Sequence, residues 1–154
     1  MKQVLQNMKT GQMTLTEVPS PQVGQNEVLV ATKASLISAG TEKMLIDFAK
    51  KSLFSKAQDR PDLVEKVVGK LQRDGLSATL SSVFSKLEEP LPLGYSAAGE
   101  VIAIGANLKG QFQVGERVAM AGAGFANHAE MNTVPKNLVA KMPEGLSYNE
   151  ASFA

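Results

Sequence analysis

The pattern of hydrophobic and polar positions divides the chain into three parts. Residues 1–38 alternate apolar and polar positions over short stretches that are broken by glycine and proline, and the segment 26–38 carries apolar residues on both of its faces. A period of two residues is typical of half-buried or fully buried β-strands. We therefore predict short strands in the first part of the chain.

From residue 42 to residue 89 the apolar positions recur every three or four residues, which is the period of a helix. Pro61 lies near the start of the second apolar stretch and Gly75 lies beyond its end, as is common for helices. Ser77 is a suitable N-cap for the third stretch, and Pro90 ends it. The pattern predicts three short amphipathic helices.

The period of two returns after Pro92, and Ser147 and Glu150 near the end of the chain have the spacing of a helix capping box. Short strands with Gly and Pro turns between them indicate a barrel or a sandwich, so the predicted fold is mainly β, α+β overall. Only a turn of helix can follow Ser147, which leads us to expect a domain boundary at residue 154. The strands are expected at 97–105, 116–120, 126–134 and 137–143.

Composition restricts the possible chemistry. The 154 residues suffice for one domain, and 44% hydrophobic with 20% charged residues is ordinary for a globular protein. A net charge of +1 indicates neither nucleic acid nor an anionic membrane as a partner. There is neither a signal peptide nor an apolar run of about 18 residues, so we expect a cytoplasmic protein. The sequence has no cysteine and one histidine, His128, which excludes disulfides and thiolate ligands for zinc.

Seven short motifs follow one another in a familiar order. Their succession resembles the N-terminal domain of the medium-chain dehydrogenases/reductases, which include alcohol, sorbitol and threonine dehydrogenases and the quinone oxidoreductases. The resemblance covers about residues 1–44 and 92–154, and its most specific parts are 94–105 and 114–119. The motifs are Glu-Val-x-x-Pro, Glu-Val-Leu-Val, Gly-Thr-Glu, Gly-Tyr-Ser-Ala-Ala-Gly-Glu-Val, Val-Gly-Glu-Arg-Val-Ala, Pro-x-Asn-Leu and Pro-Glu-Gly-Leu-Ser.

The resemblance implies a GroES-like, partly open β-barrel over residues 1–154, with a helical insertion at about 43–89. It further implies a Rossmann domain of the same chain after residue 154, which would bind NAD(P). The implied partners are that domain and a small-molecule substrate, and a homodimer is an option. The insertion is similar to that of a bacterial subgroup in which a second, glucose–fructose-oxidoreductase-like unit follows.

Zinc-dependent members of this superfamily carry a cysteine, a hydroxyl residue two positions later, and a His-Glu pair. The matching positions here are Ala39, Thr41, Tyr95 and Ser96. A methyl group cannot bind zinc and a neutral phenol is a poor ligand, so the resemblance implies the zinc-free quinone-reductase branch.

By this resemblance the candidate catalytic residues are Thr41 and Tyr95, because either hydroxyl could donate a hydrogen bond to a substrate oxygen. The alternatives are a threonine that satisfies a turn and a barrel tyrosine with a solvated hydroxyl. For Glu42 we favour a solvated charge at a helix start. The candidate substrate-binding residues are Ala39, Gly40, Glu42 and Ser96.

Two further features are not expected to carry chemistry. The segment Gly122–Asn127 begins like a dinucleotide fingerprint, but Asn127 replaces the third glycine and no helix pattern follows. His128 is a lone histidine, which is usually a surface residue or a satisfied core residue. The helical insertion is expected to pack within the chain, and a lid or a dimer surface is the alternative.

The predicted function is the substrate side of an NAD(P)-dependent, zinc-independent oxidoreductase that moves a hydride to or from a carbonyl, an alcohol or an activated alkene. Residues 1–154 alone are expected to bind no dinucleotide and to be inactive. One alternative is a non-enzymatic GroES-like barrel that acts as a co-chaperonin or a protein-interaction module. Another is a decayed zinc-binding relative that serves as a scaffold.

Overall fold

The computed structural model describes residues 1–51, 55, 58–59, 61–74 and 89–153. The chain divides into two compact units, and one of the boundaries between them along the chain falls directly after Glu42. The first unit comprises Met1–Leu5, Thr14–Glu42 and Pro92–Ala154, and the second comprises Gln6–Met13 and Lys43–Leu91.

Strands dominate the described part of the chain, and they form two sheets. One sheet has three strands in the order β2-β1-β4, and the other has five strands in the order β7-β3-β5-β6-β8. The strands are β1 (Lys2–Asn7), β2 (Met13–Glu17), β3 (Glu27–Ser35), β4 (Pro90–Pro92), β5 (Ser96–Ile104), β6 (Arg117–Ala121), β7 (Met131–Pro135) and β8 (Val139–Lys141).

The five-stranded sheet of the first unit is curled into a half-barrel around β3, which pairs antiparallel with β5 and β7. Val28 and Val30 of β3 are fully buried, as the alternation of the sequence predicts. Since strands dominate, the sheet is a curled half-barrel and the helices are few and short, the predicted mainly β, α+β, GroES-like fold is confirmed. The core also contains Ala97, Val101, Leu108, Phe112, Val118, Met120, Ala126 and Val134.

Gly99 of β5 has no room for a side chain beside β3. A Cβ atom at this position would lie 2.2 Å from the carbonyl oxygen of Ala31 and 2.8 Å from Cγ1 of Val30. Since one of these atoms belongs to the backbone of a central strand, the clash could not be relieved by rotating a side chain. Glycine is therefore required for this pairing.

Three α-helices have bounds within the described residues, α1 (Thr41–Lys50), α2 (Pro61–Asp74) and α3 (Tyr148–Ala151), and residues 55 and 58–59 are also helical. The first two confirm predicted helices, and the third predicted helix lies outside the described residues. Val64, Val67 and Val68 of α2 are exposed, so the expected packing of this apolar face within the chain is not seen for these three residues. No helix in the described ranges is both long enough and apolar enough to span a bilayer.

The strands differ from the prediction in three places. The strand predicted at 126–134 begins only at Met131: Asn127 bonds to the side chain of Asn132, and residues 128–130 meet β1 only through an isolated bridge of Ala129 with Gln3. A 3-10 turn at Lys136–Leu138 shortens the strand predicted at 137–143 to β8. The three-residue β4 was not predicted, since prolines at both of its ends hide the strand pattern.

The capping box at the start of α3 is confirmed. The hydroxyl of Ser147 accepts from the backbone N–H of Glu150, and the carboxylate of Glu150 accepts from the backbone N–H of Ser147 at 2.9 Å. The same carboxylate accepts from the hydroxyl of Ser147 at 2.6 Å. These bonds lower the pKa of Glu150 below its ordinary value, and the bond from the hydroxyl contributes most to the lowering.

We expect Gly99→Ala to lower the free energy of unfolding by about 1–3 kcal/mol, because the added methyl group must displace the backbone of β3. Gly40→Ala is the matched control, since no atom lies within 4 Å of a Cβ at that position. Denaturation with urea, followed by circular dichroism, measures both variants. Equal unfolding midpoints for the two variants would contradict the close approach at Gly99.

We expect Ser147→Ala to raise the pKa of Glu150 toward its ordinary value, because the hydroxyl bond that contributes most to the lowering is removed. A carboxyl group with a lowered pKa stabilises the folded state above its unfolded pKa, and that stability is lost as the pH falls through the folded value. The variant should therefore lose less stability on acidification. NMR titration of the carboxyl carbon of Glu150 measures the shift, and an unchanged midpoint would refute it. Glu150→Gln, which does not titrate, is the control for the stability measurements.

Candidate functional site

The pairing of β3 with β5 brings two candidate segments to one edge of the five-stranded sheet, namely the edge at which β3 ends and β5 begins. Ser35, the last residue of β3, lies opposite Ala97, and the N–H of Leu36 donates to the carbonyl of Ser96 at 2.9 Å. Because the two strands are antiparallel, the chain that leaves β3 lies beside the chain that enters β5. The segment that carries Thr41 and the segment that carries Tyr95 thus leave the sheet at the same edge.

A third segment joins this edge through the backbone of Tyr95. The N–H of Gly122, which follows β6, donates to the carbonyl of Tyr95 at 2.7 Å. Gly122 and Gly124 both have positive φ values, of 113° and 84°, as the tight turn requires. The side chain of Tyr95 is half-buried. The backbone around this tyrosine is therefore held on two sides.

Thr41 is exposed, and it is the first residue of α1. Its backbone N–H donates to the hydroxyl oxygen of Ser38 at 3.3 Å, which fixes the turn that precedes the helix. Ala39 and Gly40 of this turn are also exposed. These three candidate residues thus lie where a ligand could reach them.

The structure places the other two candidate substrate-binding residues differently. Ser96 is 1% exposed, and its hydroxyl donates to the carbonyl oxygen of Ser152 at 2.7 Å. Glu42 is 7% exposed, so its interpretation as a solvated charge at a helix start is wrong. Both side chains are engaged inside the first unit, and substrate contact by either one remains a prediction only.

The partner of Glu42 is His128, which the sequence could not pair with any residue. Nε2 of His128 lies 3.0 Å from Oε1 of Glu42, and Nδ1 lies 2.9 Å from Oγ of Ser35. The side chains of His128 and Glu42 are 10% and 9% exposed. The histidine is therefore a satisfied, largely buried residue, which was one of the two alternatives for a lone histidine, and its partner is a carboxylate 86 positions away along the chain.

The donor atoms at this edge do not suit a zinc ion. Among the described residues, no group of three or more His, Cys, Asp or Glu side chains could hold a metal. At the positions that match the zinc ligands of the superfamily, Ala39 offers a methyl group and Tyr95 a phenol. The residues present therefore do not fit the zinc centre.

The glycine turn after β6 does not fit a dinucleotide either. A phosphate-binding turn is followed by the N-terminus of a helix, whose N–H groups and dipole hold the pyrophosphate. The turn at Gly122–Gly124 leads instead through His128 into β7. This segment lacks the helix that binding of a pyrophosphate requires.

We expect Ser96→Ala to lower the free energy of unfolding by about 1–3 kcal/mol, because the buried carbonyl of Ser152 loses its donor. Ser20→Ala, at an exposed position outside the strands and helices, is the control and should unfold like the unchanged protein. Thermal unfolding measured by circular dichroism compares them. A Ser96→Ala variant of unaltered stability would mean that this hydroxyl is not committed to the core.

The sequence matches no protein-family model and no curated protein significantly. Solved structures match its fold. The quinone oxidoreductase from Coxiella burnetii matches with a TM-score of 0.62 and 22% identity, over 99% of this chain and 40% of that chain. An alcohol dehydrogenase superfamily protein from Novosphingobium aromaticivorans matches with a TM-score of 0.65 and 23% identity, over 99% of this chain and 37% of that chain. The Escherichia coli quinone oxidoreductase complexed with NADPH also matches, with a TM-score of 0.61 and 18% identity, over 99% of this chain and 36% of that chain. This chain thus spans 36–40% of the length of those proteins. At these identities the likeness establishes the fold alone, and the chain has the fold of a part of these oxidoreductases.

Proposed function

We propose that this chain is the substrate-side domain of an NAD(P)-dependent, zinc-independent oxidoreductase of the medium-chain dehydrogenase/reductase superfamily. The observation that carries the proposal is the juxtaposition at one edge of the sheet: an exposed Thr41 and a half-buried Tyr95 leave paired strands side by side. The oxidoreductases that share the fold support it. The motif order of the sequence points to the same superfamily.

The proposed reaction is hydride transfer between a nicotinamide and a carbonyl, an alcohol or an activated alkene. A hydride that reaches a carbonyl carbon leaves negative charge on the oxygen, and a hydrogen-bond donor at about 3 Å stabilises that charge. Thr41 is our candidate for this donor, and the phenol of Tyr95 is a second donor on the same wall. Ala39 and Gly40 would contact the substrate through the backbone of the turn between Ser38 and Thr41.

The nicotinamide would be held by a Rossmann domain outside the 154 residues, because the glycine turn of this chain lacks the required helix. The quinone oxidoreductase from Escherichia coli, which shares the fold, was solved in complex with NADPH, and this supports a nicotinamide cofactor for the whole protein. We propose a small-molecule substrate and a cytoplasmic location as well. Residues 1–154 alone would neither bind the dinucleotide nor turn over substrate.

The proposed reaction uses no zinc because the residues that would bind it are missing. The sequence has no cysteine, and the described residues hold no cluster of alternative ligands. Without a Lewis acid, polarisation of the substrate oxygen depends on neutral donors. This makes the hydroxyl of Thr41 more important than it would be next to a metal.

We expect Thr41→Ala to lower kcat of the full-length protein by on the order of 100-fold, with a smaller change in KM, because the donor acts on charge that develops in the transition state. Thr41→Ser keeps the hydroxyl and should retain most of kcat. The assay follows oxidation of NADPH with quinones and small carbonyl compounds as substrates.

Equal kcat values for Thr41→Ala and the unchanged protein would refute the role of Thr41. Tyr95→Phe should lower kcat less than Thr41→Ala does, because it removes only the second donor. A heptameric ring in light scattering, together with the absence of any NADPH-dependent activity, would favour the co-chaperonin alternative instead.

A further inference from the structure

The pair formed by His128 and Glu42 lies next to the candidate site but has no part in the proposed reaction. The backbone of His128 is held on both sides: its N–H donates to the carbonyl of Leu93 at 2.8 Å, and its carbonyl accepts from the N–H of Val4 at 2.9 Å. The imidazole therefore projects from a fixed backbone.

Gly94 restricts the imidazole further. A Cβ at Gly94 would lie 2.6 Å from the backbone nitrogen of His128 and 3.0 Å from Nδ1 of its ring. Only a glycine lets the chain pass this close, and its φ of 97° is accessible to few other residues. The position of the histidine ring is thus set by β1, by the segment that leads into β5, and by Ser35 at the end of β3.

Glu42 connects the fixed ring of His128 to the turn that leads to Thr41. Its Oε1 atom accepts from the ring of His128 and also from the backbone N–H of Ser38 at 3.2 Å. Its own N–H donates to the carbonyl of Ser38 at 3.0 Å. Because the hydroxyl of Ser38 accepts from the N–H of Thr41, the bonds close a ring around the turn.

A contribution to stability alone explains this arrangement poorly. Taking a carboxylate and an imidazole out of water is costly, and apolar side chains of similar size often stabilise a protein as well or better. What two directional hydrogen bonds add is a single orientation for the groups that they join. The groups that Glu42 joins are the barrel and the turn before Thr41.

We propose that His128 and Glu42 are positioning residues that hold the turn at 38–42, and with it Thr41, in the orientation needed to donate to the substrate oxygen. Neither residue touches the substrate in this proposal. The catalytic part of the proposal rests on the proposed function of Thr41. The structural part, that the pair holds the turn, can be tested independently of it.

A double-mutant cycle in the full-length protein tests the catalytic part. We expect Glu42→Ala to lower kcat about tenfold with little change in KM when Thr41 is present, because a misplaced donor loses its effect on the transition state. In a Thr41→Ala background the same change should lower kcat by less than about twofold, since no donor is left to misplace. Glu42→Gln keeps an acceptor oxygen and should restore most of kcat.

Equal losses from Glu42→Ala in the two backgrounds would overturn the proposal, because a general structural defect costs the same with or without Thr41. His128→Asn removes the other member of the pair, and it should likewise lower kcat more when Thr41 is present than in the Thr41→Ala background. It also replaces Glu42→Ala in the cycle if that variant does not fold.

Amide hydrogen exchange of the full-length protein tests the structural part without any activity. We expect the N–H groups of Ser38 and Thr41 to exchange faster in Glu42→Ala, while those of β3 and β5 stay protected. Unchanged exchange at Ser38 and Thr41 would refute the holding of the turn. If Thr41→Ala itself retains full kcat, the proposed function of Thr41 fails, and the exchange rates still decide whether the pair holds the turn.

Discussion

The antiparallel pairing of β3 with β5 is the constraint on which the candidate site depends. Its register places Ser35 opposite Ala97, so that the two segments with candidate hydroxyl groups emerge together. A slip of one residue would turn the buried side chains of β3 toward solvent, which burial of the core prevents. The absent side chain of Gly99 allows the strands to meet at this register. Core packing and site geometry thus have the same origin.

The sequence predicted those features that depend on near neighbours along the chain. The alternation of Val28 and Val30 identified β3, and the spacing of Ser147 and Glu150 identified the capping box, because each is set within a few residues. The prediction for Glu42 was wrong for the opposite reason. Its position at a helix start indicates a solvated charge, and no nearby residue in the sequence indicates a bond to a histidine 86 residues away. The late start of β7 likewise involves long-range bonds, because the backbone of residues 128–130 bonds to Lys2, Val4 and Leu93.

The order of motifs selected the candidate residues but did not show which of them face outward. Ala39, Gly40 and Thr41 are exposed, whereas the hydroxyl of Ser96 is directed to the carbonyl of Ser152. Ser96 was chosen because the motif resemblance matches it to the glutamate of a His-Glu pair. A serine is short enough to bond within the core instead.

The location of the His128–Glu42 pair has a further consequence for the turn that it holds. Helix α1 begins at Thr41, and one of the segments that form the first unit ends at Glu42, so the chain leaves that unit one residue after the candidate donor. A residue at such an exit would take its orientation from the helix alone if nothing on the barrel side held it. Glu42 instead bonds to His128 and Ser38, which both belong to the first unit. In the reaction wall that we propose, the sheet that positions Tyr95 would thereby also set the orientation of Thr41.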